Sequence, residues 1–289
     1  MSRLVATGRV KRRKAQNRAV EIVAILGAAF AVAMLALVVV SVLIHALPAL
    51  NWDLFTKTAP PFGESGGGIA HAFVGSMLLV ALATAMALPL GVLIAIYVSE
   101  FAGRRAAVVI RSALDVLNGI PSIVIGIAVF SLLVLRFKQN AFIAAIALAI
   151  IELPLVARAT QEVLALVPQS LREASQALGV SKWRTVLRIV LPTTMGGIVT
   201  GATLAVARAA GETAPILFTS TLFVNSVSGD PRHPVASIPF IIFTYSESPD
   251  PGQHSQAWAA AFVLIVFVLT TSLTARFLLH RAGRKFAGK

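Results

Sequence analysis

Apolar stretches alternate with shorter polar ones along the whole chain, and most apolar stretches are long enough for a membrane-spanning helix of about 20 residues. The pattern predicts six spans, at about 22–46, 70–98, 106–135, 140–157, 195–223 and 257–279. The expectation is an all-α polytopic membrane protein, organised as one transmembrane domain over 21–280. A basic arm, 1–20, precedes it and a basic tail, 281–289, follows it. The arm is expected to be disordered and to meet anionic lipid. The first span is too long for a cleaved signal core and reads as an uncleaved anchor.

Between the fourth and fifth spans, 160–192 changes character. Pro168 suits a first helical position, and Leu171, Ala174 and Leu178 follow at helical spacing. Gly179 stands where a turn tolerant of positive φ is needed, and Ser181 can cap a second helix. Trp183, Val186, Leu187 and Val190 form an i, i+3, i+4, i+7 stripe, and Pro192 ends that helix. The unit reads as two short amphipathic helices joined at a sharp turn. It either inserts an apolar ridge into a partner's groove or packs on its own surface.

Two further loops are less regular. Residues 47–69 carry Gly66-Gly67-Gly68 ahead of the second span. In 224–256, a short helix over 233–246 would start at Pro234 and show Val235, Ile238, Ile241, Ile242 and Tyr245 on one face. It lies either at the interface or as a packed re-entrant turn.

Composition supports the membrane class, with 57% hydrophobic and 13% charged residues. The absence of cysteine rules out disulfides and thiolate metal sites, and the five histidines lack metal-ligand spacing. A net charge of +13 would suit nucleic acid, but its distribution points to the membrane instead. Lys and Arg crowd the N-terminal arm, the loop after the second span (Arg104, Arg105), the 158–188 region and the tail, and are sparse in the alternate loops. That asymmetry places both termini in the cytoplasm.

Ionisable residues within spans are costly and mark candidate function. In the fifth span Gly201, Ala205, Arg208, Glu212, Pro215 and Thr219 recur on one small, polar face, with Arg208 near mid-span. Gly211 and Pro215 permit a kink there, and Glu212 can pair with Arg208 at i, i+4. This face is either a water-accessible path for an anion or a structural ion pair. In the third span Arg111 and Asp115 are expected to pair, with Asn118 and Ser122 on the same face and Pro121 kinking the helix. Glu152, in the fourth span, is expected to partner Arg158 or a neighbouring subunit. No G-x-x-x-x-G-K-[ST] loop, G-x-S-x-G elbow or hydrolytic acid pair is present, so an enzyme reading lacks residues.

Glu173-Ala174-Ser175 with Gly179 and Ile189-Val190-Leu191-Pro192 resembles the E-A-A-x-x-x-G-x(9)-I-x-L-P coupling loop of ABC importer permeases, with Ser175 a departure. Over most of 70–280 the chain resembles, more closely, the A-type permeases of phosphate-specific (Pst) ABC importers. The resemblance is carried by Ala87–Gly91 through Tyr97-Val98-Ser99-Glu100, by Gly119–Gly126, and by Arg208-Ala209-Ala210-Gly211-Glu212-Thr213-Ala214-Pro215. The last run favours phosphate over molybdate or sulfate, and Glu152 stands where the family is usually apolar or neutral.

The resemblance implies a type I ABC importer permease in a bacterial plasma membrane. Its implied partners are an ATPase dimer, a homologous C-type permease and a phosphate-binding protein outside the membrane. It implies no cofactor on this chain, with ATP and Mg on the ATPase. It assigns the substrate pathway to Arg208, Glu212 and Thr213, and ATPase coupling to Glu173, Ala174, Gly179, Trp183, Leu191 and Pro192. The alternatives are a permease for another anion or an ion-coupled secondary transporter.

Overall fold

A computed structural model describes residues 8–59, 66–221 and 226–287. Residues 1–7 of the basic arm, 222–223 at the end of the expected fifth span, and 288–289 of the tail lie outside the described residues. Every regular element in the described residues is helical. The long ones are α1 (Gly8–Ala46), α2 (Ala70–Phe101), α3 (Arg104–Gly119), α4 (Ser122–Phe137) and α5 (Ala141–Ala165). After the short α6 (Gln169–Ala177) come α7 (Lys182–Ala210), α8 (Ala214–Thr219), α9 (Ile238–Ser246) and α10 (Pro251–Ala287).

Five of these helices are long and apolar enough to cross a membrane, and α3 with α4 makes a sixth, bent unit. The expected third span, 106–135, is therefore not one helix. Its halves meet at 95°. Ile120 and Pro121 are both extended, because a residue before proline avoids the α region and Pro121 supplies no N–H to continue the ladder.

The direction of each helix follows from contacts at its ends. At one end, here the cap end, Ser76 Oγ accepts from Ile238 N, Ala141 N donates to His233 O, and His45 stacks on Trp258. At the other, the loop end, Phe101 meets Lys182 and Trp183. So α2 and α5 run from cap to loop, the α3–α4 pair returns from loop to cap, and α7 with α8 does the same. Both α1 and α10 have their free ends toward the loop end.

Helix α2 packs along α5, which also receives α7, while α10 gathers α1, α7 and α9. The α2–α5 seam is built from Ala83, Ala87, Ala144 and Ala145, all buried with Leu79 and Leu148. Small residues let backbones approach where lipid offers no hydrophobic drive. A second cluster joins Ala95, Ile96, Leu164, Val186 and Val190 at the loop end. A third, Leu54, Ile69, Ile238, Ile241, Tyr245 and Ala260, closes the cap end.

Several boundaries differ from expectation for physical reasons. Residues 8–20 of the arm are helical and continuous with the first span, not disordered. Segment 47–69 holds helical turns at Leu47–Ala49 and Asp53–Thr56. Helix α9 begins after Ser237, whose hydroxyl accepts from Phe240 N, rather than at Pro234, and its Ile238, Ile241 and Tyr245 are core residues. Pro192 does not end a helix. Leu191 N donates to Val186 O in a π turn just ahead of it, and the widened turn lets the ladder pass a residue without an N–H. The fifth span thus starts at Lys182 and stops at Ala210.

Candidate functional site

Helix α6 and the start of α7 form the two-helix unit expected between the fourth and fifth spans. Gly179 has φ of 72°, its N–H donates to Gln176 O at 2.9 Å, and Val180 N donates to Ser175 O at 3.1 Å. This is a Schellman end, which satisfies carbonyls the helix would otherwise leave open. Pro168 precedes the helix as its N-cap rather than opening it, and the Ser181 hydroxyl makes no cap bond. Ser175 is buried and shares a 2.8 Å hydrogen bond with Thr185 Oγ1, tying the two helices together. The predicted stripe divides: Val186 and Val190 enter the core, while Trp183 and Leu187 stay outside. Leu171 and Leu178, the latter 83% exposed, are exposed as well, as are Glu173 and Ala174. Leu191 packs partly against the loop-end cluster, and Pro192 is exposed.

The second feature is where two helix breaks meet. Helix α7 ends at Ala210, so Arg208 lies in its last turn, where the helix dipole favours a cation. The chain then opens over Gly211, Glu212 and Thr213 before α8. Arg208 Nε lies 3.6 Å from Glu212 Oε1, with side chains 55% and 16% exposed. Both line a cavity of about 260 Å³ with Asn118, Pro121 and Ser122 from the α3–α4 break. Ile151, close to the midpoint of the 25-residue α5, forms part of its wall. Arg208 therefore ends its own helix yet sits at the middle of the bundle. Gly126 permits the approach of α4 to α8, since a Cβ there would stand 2.7 Å from Pro215 Cα. The rest of the small face is packed within the chain. A Cβ on Gly201 would meet Ala159 Cβ at 2.5 Å, and Ala205 and Thr219 are buried.

Residues 87–284 match the family described as binding-protein-dependent transport system inner membrane component. The chain belongs to this family. It is 38% identical over 267 residues to the phosphate transport system permease protein PstA of Yersinia pestis, covering 91% of this chain and 90% of that protein. It is 42% identical over 225 residues to PstA 1 of Mycobacterium tuberculosis (strain CDC 1551 / Oshkosh), covering 77% and 74%. In fold it is similar to a chain of the inward-facing MetNI methionine ABC transporter, at TM-score 0.58 and 17% identity, over 74% of this chain and 94% of that one. The architecture is thus that of a type I ABC importer permease, an all-α multi-pass membrane protein.

In this inner membrane component the remaining ion pairs differ from those expected. Asp115 pairs with Arg158, not Arg111, and Arg158 Nη2 also donates to Arg111 O at 3.2 Å. The bend at Gly119–Pro121 lays α3 against α5, and this brings Asp115 across to Arg158. Arg158 is then unavailable to Glu152, which is fully buried and accepts from Thr84 Oγ1 at 3.0 Å. Sequence reasoning also missed the pair between Glu100 and Arg172, 2.7 Å apart. Its members are 72 residues apart, and no local spacing signals such a contact.

Proposed function

We propose that this chain is the membrane-spanning permease subunit of an ATP-driven, binding-protein-dependent importer of inorganic phosphate. Its Lys/Arg bias puts the loop end and both termini in the cytoplasm of a bacterial cell. The exposed Leu171, Leu178, Trp183 and Leu187 suit docking to an ATPase dimer that binds ATP and Mg, with Glu173, Ala174 and Gly179 shaping the surface and Leu191 and Pro192 carrying its motion into α7. A homologous second permease would complete the passage, and a phosphate-binding protein would deliver cargo at the cap end.

The observation that carries the reading is Arg208 in a mid-bundle cavity formed by two broken helices. Irregular backbone within a membrane is tolerated where it lines such a cavity. Phosphate carries one to two negative charges, and a guanidinium offers it a planar fork of donors. Glu212 offsets part of the Arg208 charge, so the anion is attracted but not trapped. Thr213 adds a hydroxyl at the break. Relatives named as phosphate permeases support the choice of anion over molybdate or sulfate.

Radiolabelled phosphate uptake tests this. Arg208→Gln should assemble normally and lose uptake by about ten-fold or more, whereas Arg208→Lys should retain part of it. Undiminished uptake in Arg208→Gln ends the anion-pathway reading. If Arg208 and Glu212 are only a structural pair, Glu212→Gln and Arg208→Gln should both reduce recovery of the complex.

A further inference from the structure

We propose that Glu100 is a positioning residue for coupling: through Arg172 it holds α6 to the ends of α2 and α5, so that movement of α6 is delivered to the helices around the Arg208 cavity. This rests on the reading of the chain as an ATP-driven permease. Arg172 Nε donates to the two Glu100 oxygens at 3.1 and 3.3 Å, and Nη2 donates to Oε1 at 2.7 Å. The same guanidinium donates from Nη1 to Val167 O at 2.7 Å and from Nη2 to Leu164 O at 3.0 Å. Three segments therefore share one planar group, which a lysine ammonium could not span in this geometry.

Glu100 is buried and Arg172 largely so, with side chains 5% and 15% exposed. A buried ion pair is a poor source of net stability but a strong geometric constraint once made. Its position in the fold says what it constrains. Among the described residues, α6 packs extensively only against the start of α7. Its Arg172 side chain ties it directly to Glu100 at the end of α2 and to Leu164 O at the end of α5. Glu100 sits in the π turn Tyr97–Phe101 that ends α2, and α2 packs along α5. Ile151 of α5 then forms part of the Arg208 cavity. A push on the exposed face of α6 thus has a direct route to the cavity wall.

The test uses the complete complex in proteoliposomes, with both permeases, the ATPase and the binding protein. Phosphate moved per ATP hydrolysed is measured for Glu100→Gln, Arg172→Gln and the double variant. The expected result is retained ATP hydrolysis with the ratio lowered about five-fold or more. The double variant should be no worse than Arg172→Gln alone, because the two residues act as one unit. If recovery and both rates fall together while the ratio stays constant, the pair is merely structural and the proposal is overturned.

A second readout does not depend on the cargo. The chain has no cysteine, so spin labels can be placed at Ser99→Cys and Ser170→Cys with no other substitution in this subunit, in a complex whose partners are freed of reactive cysteines. The label separation should stay single and unchanged between ATP-bound and ATP-free complexes, and should broaden in Glu100→Gln. A separation that shifts with ATP equally in both backgrounds overturns the proposal. A complex that behaves as expected here but carries no phosphate refutes the phosphate reading and leaves the role of Glu100 standing.

Discussion

At the residue scale, Gly201 and Arg208 lie on the same helix and have opposite surroundings. Gly201 faces Ala159 at a distance that leaves no room for a side chain, whereas Arg208 opens into the polar cavity. Gly201→Val should force α7 off α5, an overpacking cost of about 1–3 kcal/mol, and lower recovery of folded protein from membranes. Gly196→Ala is the control, since a Cβ there meets nothing within 4 Å. Normal recovery of Gly201→Val with uptake lost would make the small face a pathway wall after all. The sequence makes Arg208 and Glu212 visible because charges inside apolar spans are expensive and an i, i+4 spacing is local. It does not reveal that Asn118 and Ser122 face them, or that Asp115 chooses Arg158, because those contacts depend on how the α3–α4 bend turns in space.

At the element scale, the turn between α6 and α7 is set by a backbone conformation that favours glycine. Gly179 has φ of 72° with open space around its Cα, so a substitution there is opposed by backbone conformation rather than by a clash. Gly179→Val should cost about 1–2 kcal/mol locally and misdirect α6 while the spans still insert. ATP-driven uptake and co-purification of the ATPase should fall, and Gly179→Asn should retain more of both, since asparagine enters this region more readily. Undiminished uptake in Gly179→Val would remove the turn from the docking surface. This turn was legible because glycine, spacing and flanking apolar positions all agree. The continuity of α7 through Pro192 was not, because a proline reads as a stop unless the preceding turn widens, and nothing in the local residue pattern announces a π turn.

At the scale of the whole molecule, the bent α3–α4 pair decides the topology. If it crosses the membrane once, six crossings put both termini on one side; if it enters and leaves on the same side, five crossings put them on opposite sides. Its ends answer the question geometrically. Arg104 follows α2 at the loop end, whereas Phe137 precedes the start of α5, where Phe142 N donates to Pro231 O at the cap end. Gln139 Nε2 also donates to Ser220 O there, at 3.0 Å. The pair therefore joins opposite ends of the bundle and counts as one crossing despite its 95° bend. The Lys/Arg bias supports the proposed orientation, with the loop end in the cytoplasm. A reporter active only in the cytoplasm should work when fused before residue 8, within 172–182 or after residue 289, and should fail within 228–234. Opposite signals from the two termini would show the α3–α4 pair to be re-entrant. A cytoplasmic signal from 228–234 would instead show that one of the assigned crossings is wrong, and the face lining the Arg208 pathway would have to be redrawn.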